Sequence, residues 1–246
     1  MMTPEVNILF GGLLLLVAFL YASVGHGGAS GYLALMALFS FAPEVMRPTA
    51  LVLNIFVASI SFFSYYKGGH FSWKTFWPLA LAAVPAAYLG GLMAAPDSLY
   101  KQILGAVLLL PAIRFLLPLE TTPVQARQLQ IPGALLMGAG IGALSGMIGI
   151  GGGIILSPLL ILLGWANVKQ AAAVSALFIV VNSVAGLIGQ LQRGVHFSGE
   201  MALMVLIAII GGLAGSWAGA FKFPQKALKI SLAVVLLIAS LKLLFT

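Results

Sequence analysis

Apolar residues are arranged along this chain in ten runs, separated by short polar or proline-containing connections. Eight runs approach the roughly 20 residues that a helix needs to cross a bilayer. The second and seventh are too short, because at about 1.5 Å per residue they reach only part of the way. The runs are Ile8–Val24, Ala29–Ala42, Thr49–Tyr66, Trp73–Ala95, Leu99–Leu117, Ile131–Ile148, Ile154–Leu163, Ala171–Gln190, Glu200–Phe221 and Lys226–Phe245. The pattern predicts an all-α, polytopic membrane protein.

Each short run follows a cluster of glycines. The first cluster is Gly25-His26-Gly27-Gly28-Ala29, and the second is Gly149-Ile150-Gly151-Gly152-Gly153. Matched, glycine-broken, short apolar segments in two halves of a membrane protein indicate the binding site of a transporter. We therefore predict that the substrate binds where these two clusters interrupt the helices.

The two halves of the chain resemble each other. A polar linker over residues 118–130 separates a first repeat, residues 1–117, from a second repeat, residues 131–246. Past the glycine clusters, Lys67–Ser72 matches Arg193–Ser198 in the same order along the chain. Such ordered matches indicate duplication. We predict two repeats of about five helical segments each, with a short re-entrant hairpin in each repeat.

Composition supports a membrane protein and excludes a soluble one. Apolar residues make up 61% of the chain and charged residues 7%, with a mean hydropathy of +1.12. A soluble domain averages about 25% charged residues. The net charge of +7 comes from lysines and arginines in the connections, so it indicates topology and not nucleic-acid binding. We expect a bacterial inner (plasma) membrane protein with no cofactor and no metal.

Positive charges predict how the segments are oriented. If segments one and two form a hairpin that returns to its own side, and six and seven do likewise, the basic residues divide eight to four. The eight are Lys67, Lys74, Arg114, Arg127, Lys169, Lys222, Lys226 and Lys229, and the four are Arg47, Lys101, Arg193 and Lys242. If each pair is one broken crossing, the division is six to six. The positive-inside rule favours the hairpins, which make the repeats inverted and both termini non-cytoplasmic.

A helix that begins just after a glycine cluster presents unpaired N–H groups and the positive end of its dipole. Inverted hairpins would bring two such ends together around an anion. The predicted substrate-binding residues are Gly25, His26, Gly27, Gly28, Ala29, Thr49, Gly149, Gly151, Gly152, Gly153 and Ser175, with Asn54 and Asn182 as secondary candidates.

Each of these residues also has a structural alternative. The glycines can serve close helix packing, and Thr49 and Ser175 can cap their own helices. For Asn54 and Asn182, hydrogen bonding between helices is the default. His26 can donate to the anion or carry a proton, or it can be neutral and bonded to a backbone carbonyl.

Both clusters, with the helix before and the short segment after each, resemble the TauE/SafE sulfite exporter family of membrane permeases. The clearest stretch is Ser145–Pro158, and the weaker copy is Ser23–Gly28, where Ala29 replaces the last glycine. The resemblance implies transport of small sulfur-containing or organic anions, such as sulfite, thiosulfate or sulfoacetate. The glycines carry over residue by residue, Thr49 and Ser175 more weakly, and His26 not at all.

The leading hypothesis is a secondary transporter of small anions that works by alternating access in the lipid bilayer. An anion channel is a close alternative. An intramembrane serine protease is a different class, because Ala143-Leu144-Ser145-Gly146 loosely resembles the Gly-x-Ser-Gly of rhomboid proteases. Such an enzyme needs a base to activate the serine, and His26 is the candidate. A passive membrane subunit and a homo-oligomer stay open.

Overall fold

The computed structural model describes residues 4–23, 27–93, 96–116, 127–194, 199–220 and 225–245, and the regular secondary structure in these ranges is α-helical. Ten helices follow one another along the chain. They are α1 Pro4–Ser23, α2 Ala29–Leu38, α3 Pro43–Lys67, α4 Trp73–Leu92, α5 Asp97–Leu116, α6 Ile131–Ile148, α7 Gly153–Leu162, α8 Val168–Leu191, α9 Gly199–Ala220 and α10 Gln225–Phe245. The ten predicted segments and the all-α class are confirmed.

The start of α3 differs from the prediction. The helix begins at Pro43 and not at Thr49, and Pro48 lies inside it. Proline suits the first position of a helix, because the N–H that it lacks would have no partner there. Pro48 follows only five residues later, so it costs one hydrogen bond near an end that frays anyway. The sequence pattern predicts that Pro43 and Pro48 both interrupt the helix, so its predicted start falls after them.

The protein is an integral membrane protein. Among the described residues, four helices (α3, α4, α6 and α8) are long and apolar enough to cross a bilayer, whereas α2 and α7 have ten residues each. Large apolar side chains on several helices point away from the protein, including Leu136 at 77% exposure and Leu81 at 62%. Such a surface is stable in lipid and would aggregate in water.

Helices from the two halves pack mainly against each other. Helix α4 packs on α6, α1 on α9, α5 on α10, and α3 on α8. Replacing each helix by its counterpart in the other half turns the α4–α6 pair into the α9–α1 pair. The same replacement leaves the α5–α10 and α3–α8 pairs unchanged. The two halves are thus interleaved and share one packed interior.

Small residues allow the closest of these contacts. Gly138, Gly142 and Gly146 form a stripe on α6, and a Cβ at each would overlap a carbonyl oxygen of α4. On α9, a Cβ at Gly211 or Gly215 would meet the backbone of α1 in the same way. Glycine at every fourth position lets two helix backbones touch. These glycines serve packing, as small residues spaced four apart on membrane helices commonly do.

Candidate functional site

The second glycine cluster changes the chain direction between α6 and α7. Gly149, Gly151 and Gly152 have φ angles of 89°, 74° and 80°, in the left-handed region. A side chain is strained there, so glycine is the residue that fits. In the first cluster, Gly28 precedes α2 with φ of 91°. Gly25 and His26 lie outside the described residues.

The N-terminal ends of both short helices have no side-chain cap. Gly28 precedes α2 and Gly152 precedes α7, and neither offers a side-chain oxygen to the first N–H groups. Helices α4 and α8 differ, since Ser72 caps the start of α4, and Asn167 and Gln170 form a capping box at the start of α8; α3 and α6 also begin without a side-chain cap. The first turns of α2 and α7 therefore keep N–H groups and positive dipole ends for another acceptor.

The two clusters meet at the crossing of α3 and α8. A Cβ at Gly27 would lie 3.3 Å from Asn54 Oδ1 and 3.3 Å from Ile179 Cδ1. A Cβ at Gly151 would lie 2.7 Å from Asn54 Nδ2 and 2.9 Å from Ile179 Cγ2. Asn54 of α3 and Ile179 of α8 thus each contact both clusters. The structure places Asn54, a secondary candidate by sequence, between the two helix tips.

Asn54 is fully buried, and neither its amide nitrogen nor its amide oxygen has a hydrogen-bond partner among the described residues. A buried amide without partners costs roughly 1–3 kcal/mol. Proteins rarely keep such a group without a reason. A ligand that accepts from Nδ2 would remove part of this cost.

A small cavity lies between the tips. Its volume of about 10 Å³ is that of a single water molecule. Its wall is formed by Tyr21, Gly27, Gly28, Ala29, Ser30, Asn54, Ile150, Ile154 and Ile179. An oxyanion of sulfur is larger than water, so binding requires the tips to move apart. The structure is thus closed around the candidate site.

The wall of this cavity is polar on one side and apolar on the other. The first half contributes the hydroxyls of Tyr21 and Ser30, which are hydrogen-bonded to each other at 2.7 Å. The second half contributes Ile150 and Ile154. Sequence reasoning missed Tyr21 and Ser30, because each reads as an ordinary polar residue of an apolar segment. The residues at the matching positions of the second half are Ser145 and Ile154, and they give no further sign that Tyr21 and Ser30 line a site.

Thr49 and Ser175 are not at helix starts, so capping of their own helices is wrong for both. The helices begin at Pro43 and Val168, several residues earlier. Ser175 accepts a hydrogen bond from Ser157 Oγ of α7 at 2.8 Å, which fastens α7 to α8. Thr49 is fully buried, and its hydroxyl has no partner among the described residues. Neither residue lines the cavity.

Other buried polar groups surround the second cluster. Ser183 lies near Gly151, and the hydroxyl of Ser145 lies against Gly152. Both serines and the amide of Asn182 are buried without hydrogen-bond partners in the described part of the chain. The described residues therefore place no activating base on Ser145, which the protease alternative needs. They also contain no cluster of three metal-ligating side chains.

Comparisons with known proteins point in one direction. Residues 10–243 match the family model described as "Sulfite exporter TauE/SafE". A probable membrane transporter protein of Sinorhizobium fredii is 35% identical over 235 residues, covering 93% of this chain and 94% of the relative. A probable membrane transporter protein of Methanocaldococcus jannaschii is 27% identical over 173 residues, covering 66% and 64% respectively. No solved structure matches this chain.

Proposed function

This chain belongs to the sulfite exporter TauE/SafE family of membrane transporters, and we propose that it carries small sulfur-containing or organic anions by alternating access around the two helix tips. The observation that carries this proposal is the position of Asn54. Its amide is buried between Gly27 and Gly151, where two uncapped helix ends converge, and it has no hydrogen-bond partner among the described residues. A bound anion would accept from that amide and from the first N–H groups of α2 and α7.

Helix dipoles suit a site that must also release its substrate. Each helix end provides a partial positive charge, and hydrogen bonds to an anion are stronger than those to a neutral group. Among the residues that the structure describes, no lysine or arginine lines the cavity. The anion is therefore held by partial charges and amide donors in a setting of low dielectric constant, and it leaves without breaking an ion pair.

Three contacts support the inverted arrangement of the repeats. Arg193 donates to the carbonyl of Met93 at 2.9 Å, Lys242 donates to the carbonyl of Leu38 at 3.0 Å, and the backbone N–H of Arg127 donates to the carbonyl of Gly164 at 2.9 Å. With two hairpins, both members of each pair lie on one side of the membrane. With two broken crossings, the members of each pair would lie on opposite sides.

Alternating access then requires the tips to separate toward one side at a time. The cavity is too small for an oxyanion in the closed structure, so the tips of α2 and α7 must move apart to admit it. Because the two halves interleave through glycine stripes, a rocking motion would keep the close α4–α6 and α1–α9 contacts. We infer that α4 and α6 move together as one unit, that α1 and α9 move together as another, and that the transport motion occurs between these two units.

The replacement Asn54→Leu tests this function. Leucine has nearly the shape of asparagine and removes an unsatisfied buried amide, so we expect higher thermal stability together with loss of anion uptake. Uptake of sulfite, thiosulfate and sulfoacetate into proteoliposomes, and thermal shifts with each anion, provide the two measurements. Saturating uptake by the wild type distinguishes a transporter from a channel.

Asn182→Leu is the matched control, because Asn182 is equally buried and unpartnered among the described residues but does not line the cavity. It should also be more stable, and it should retain uptake. Undiminished uptake by Asn54→Leu would contradict the proposed site.

A further inference from the structure

One face of α3 carries three buried polar side chains at intervals of seven residues. They are Arg47, Asn54 and Ser61, which are 4%, 0% and 2% exposed. Residues seven apart on an α-helix lie on the same face, because seven residues make almost two turns. From Arg47 to Ser61 the stripe is about 21 Å long at 1.5 Å per residue. It therefore extends over most of a hydrocarbon layer about 30 Å thick.

Serines on the same helix show that Ser61 is unusual. Ser59 and Ser64 each donate to the backbone carbonyl four residues earlier, at Ile55 and Ile60. This is the ordinary way for a serine within a membrane helix to satisfy its hydroxyl. The hydroxyl of Ser61 is buried and has no partner among the described residues. Ser61 thus resembles Asn54 and not its neighbours.

Both glycine clusters lie against this stripe. The backbone of Arg47 is in contact with Gly149, and Asn54 is in contact with Gly27 and Gly151. Asn54, the middle residue of the stripe, lines the cavity between the helix tips. The stripe therefore leads away from the candidate site in two directions.

Arg47 is the one charged side chain among the buried residues of the described structure. Its guanidinium lies over the ring of Tyr100, 4.1 Å from the ring centroid. A buried charge in a membrane protein marks an ion or substrate pathway more often than it stabilises the fold. Because Arg47 lies seven residues from Asn54, about 10 Å along the helix, it can attract an anion without holding it at the centre.

We propose that the anion crosses the protein along this face of α3, with Arg47 as its receiving group at one end, Asn54 at the centre and Ser61 as the last polar group at the other end. This inference rests on the proposed function. It adds a route, and it adds two substrate-contacting residues outside the cavity. Arg47 supplies a charge outside the central cavity, and Ser61 supplies a hydroxyl at the far end of the stripe.

The chain contains no cysteine, so single cysteines can be introduced and labelled without a background. We expect Ser61→Cys to react with the anionic reagent 2-sulfonatoethyl methanethiosulfonate about tenfold faster than with its trimethylammonium counterpart, because a positively polarised route concentrates anions. Modification should block uptake, and saturating sulfite should slow the reaction. Leu53→Cys is the control, since Leu53 of the same helix is as buried as Ser61, at 1% against 2% exposed, but lies off the stripe; it should stay unlabelled.

Arg47 is tested by a pair of variants. Arg47→Gln should raise the KM for the anion about tenfold with little change in kcat, and Arg47→Lys should largely retain the wild-type KM, because charge is what the position supplies. If wild-type protein takes up none of the anions, the proposed function fails. If the wild type transports but Ser61→Cys stays unlabelled or reacts equally with both reagents, the route is wrong even where Arg47→Gln fails to fold.

Discussion

The short helices α2 and α7 have the same position in their repeats and the same geometry, but they differ in chemistry. Each has ten residues and follows an N-cap glycine in the left-handed region. On the cavity side, the tip of α2 is next to the hydroxyl residues Tyr21 and Ser30, whereas the second half lines the cavity with Ile150 and Ile154; the serines near the α7 tip, Ser145 and Ser183, do not line it. The dipole geometry is therefore the same in both halves, whereas most of the polar side chains that line the cavity belong to the first half.

The far ends of the two helices differ as well. After α7 the chain turns at Gly164 with φ of 70°, and at the corresponding position after α2 it turns at Ser40 with φ of 58°. Lys242 of α10 donates to the carbonyls of Ala37 and Leu38 and to the hydroxyl of Ser40. Where the second half uses a glycine, the first half uses a strained serine that a lysine from the other half holds in place.

The largest effect is expected at the tip of α7. Gly152→Ala puts a methyl group at a positive φ, which costs roughly 1–2 kcal/mol, and directs it at the hydroxyl of Ser145. The α7 tip should shift and anion uptake should be lost. Gly140→Ala is the control, because Gly140 is helical with open space around it. That variant should be as stable as the wild type or more stable, with normal uptake; an active Gly152→Ala protein would remove the α7 tip from the site.

A smaller effect is expected from the hydroxyls at the tip of α2. Tyr21 and Ser30 are hydrogen-bonded to each other, which leaves one hydroxyl proton of the pair for the anion. Ser30→Ala and Tyr21→Phe should each raise the KM about tenfold, without adding up, as for the loss of one hydrogen bond to a charged group. In the second half, Ile154→Val leaves the polar wall intact, and its KM should change much less. Uptake kinetics in proteoliposomes measure both. Equal effects of the two kinds of substitution would mean that the halves contribute alike.

The smallest effect is expected at the far end of α2. Lys242→Met removes the donor to the last carbonyls of α2, which should lower stability by about 1 kcal/mol and slow transport modestly. Ser40→Gly should relieve the strained turn. In the Ser40→Gly background, Lys242→Met should therefore cost less than it does alone. Thermal unfolding of the four proteins measures this coupling, and strictly additive costs would show that Lys242 does not support the turn.

Much of the fold could be predicted from the sequence, because the lipid environment imposes helices on apolar runs of sufficient length. The ten segments, the two short helices and the packing role of Gly138 and Gly142 all followed from local pattern. The start of α3 did not, since a proline in the first turns of a helix looks like a break when only the sequence is read.

The candidate site could be predicted only in part. The glycine clusters identify themselves by position, but Asn54 reads as one of two similar asparagines within apolar runs. Which of them lies between the tips depends on how α3 crosses α8, and that is a property of the packed structure. Tyr21 and Ser30 are found only when α1 and α2 are seen side by side.

The central claim is that an anion binds between the two helix tips and contacts Asn54. Diffraction from crystals grown with selenite, an analogue of sulfite, tests it through the anomalous signal of selenium. We predict one strong peak beside Asn54 Nδ2 and the first N–H groups of α2, where the oxygens around the selenium can accept hydrogen bonds from them. A selenium peak elsewhere in the protein, with the tips still closed around Asn54, would contradict the account.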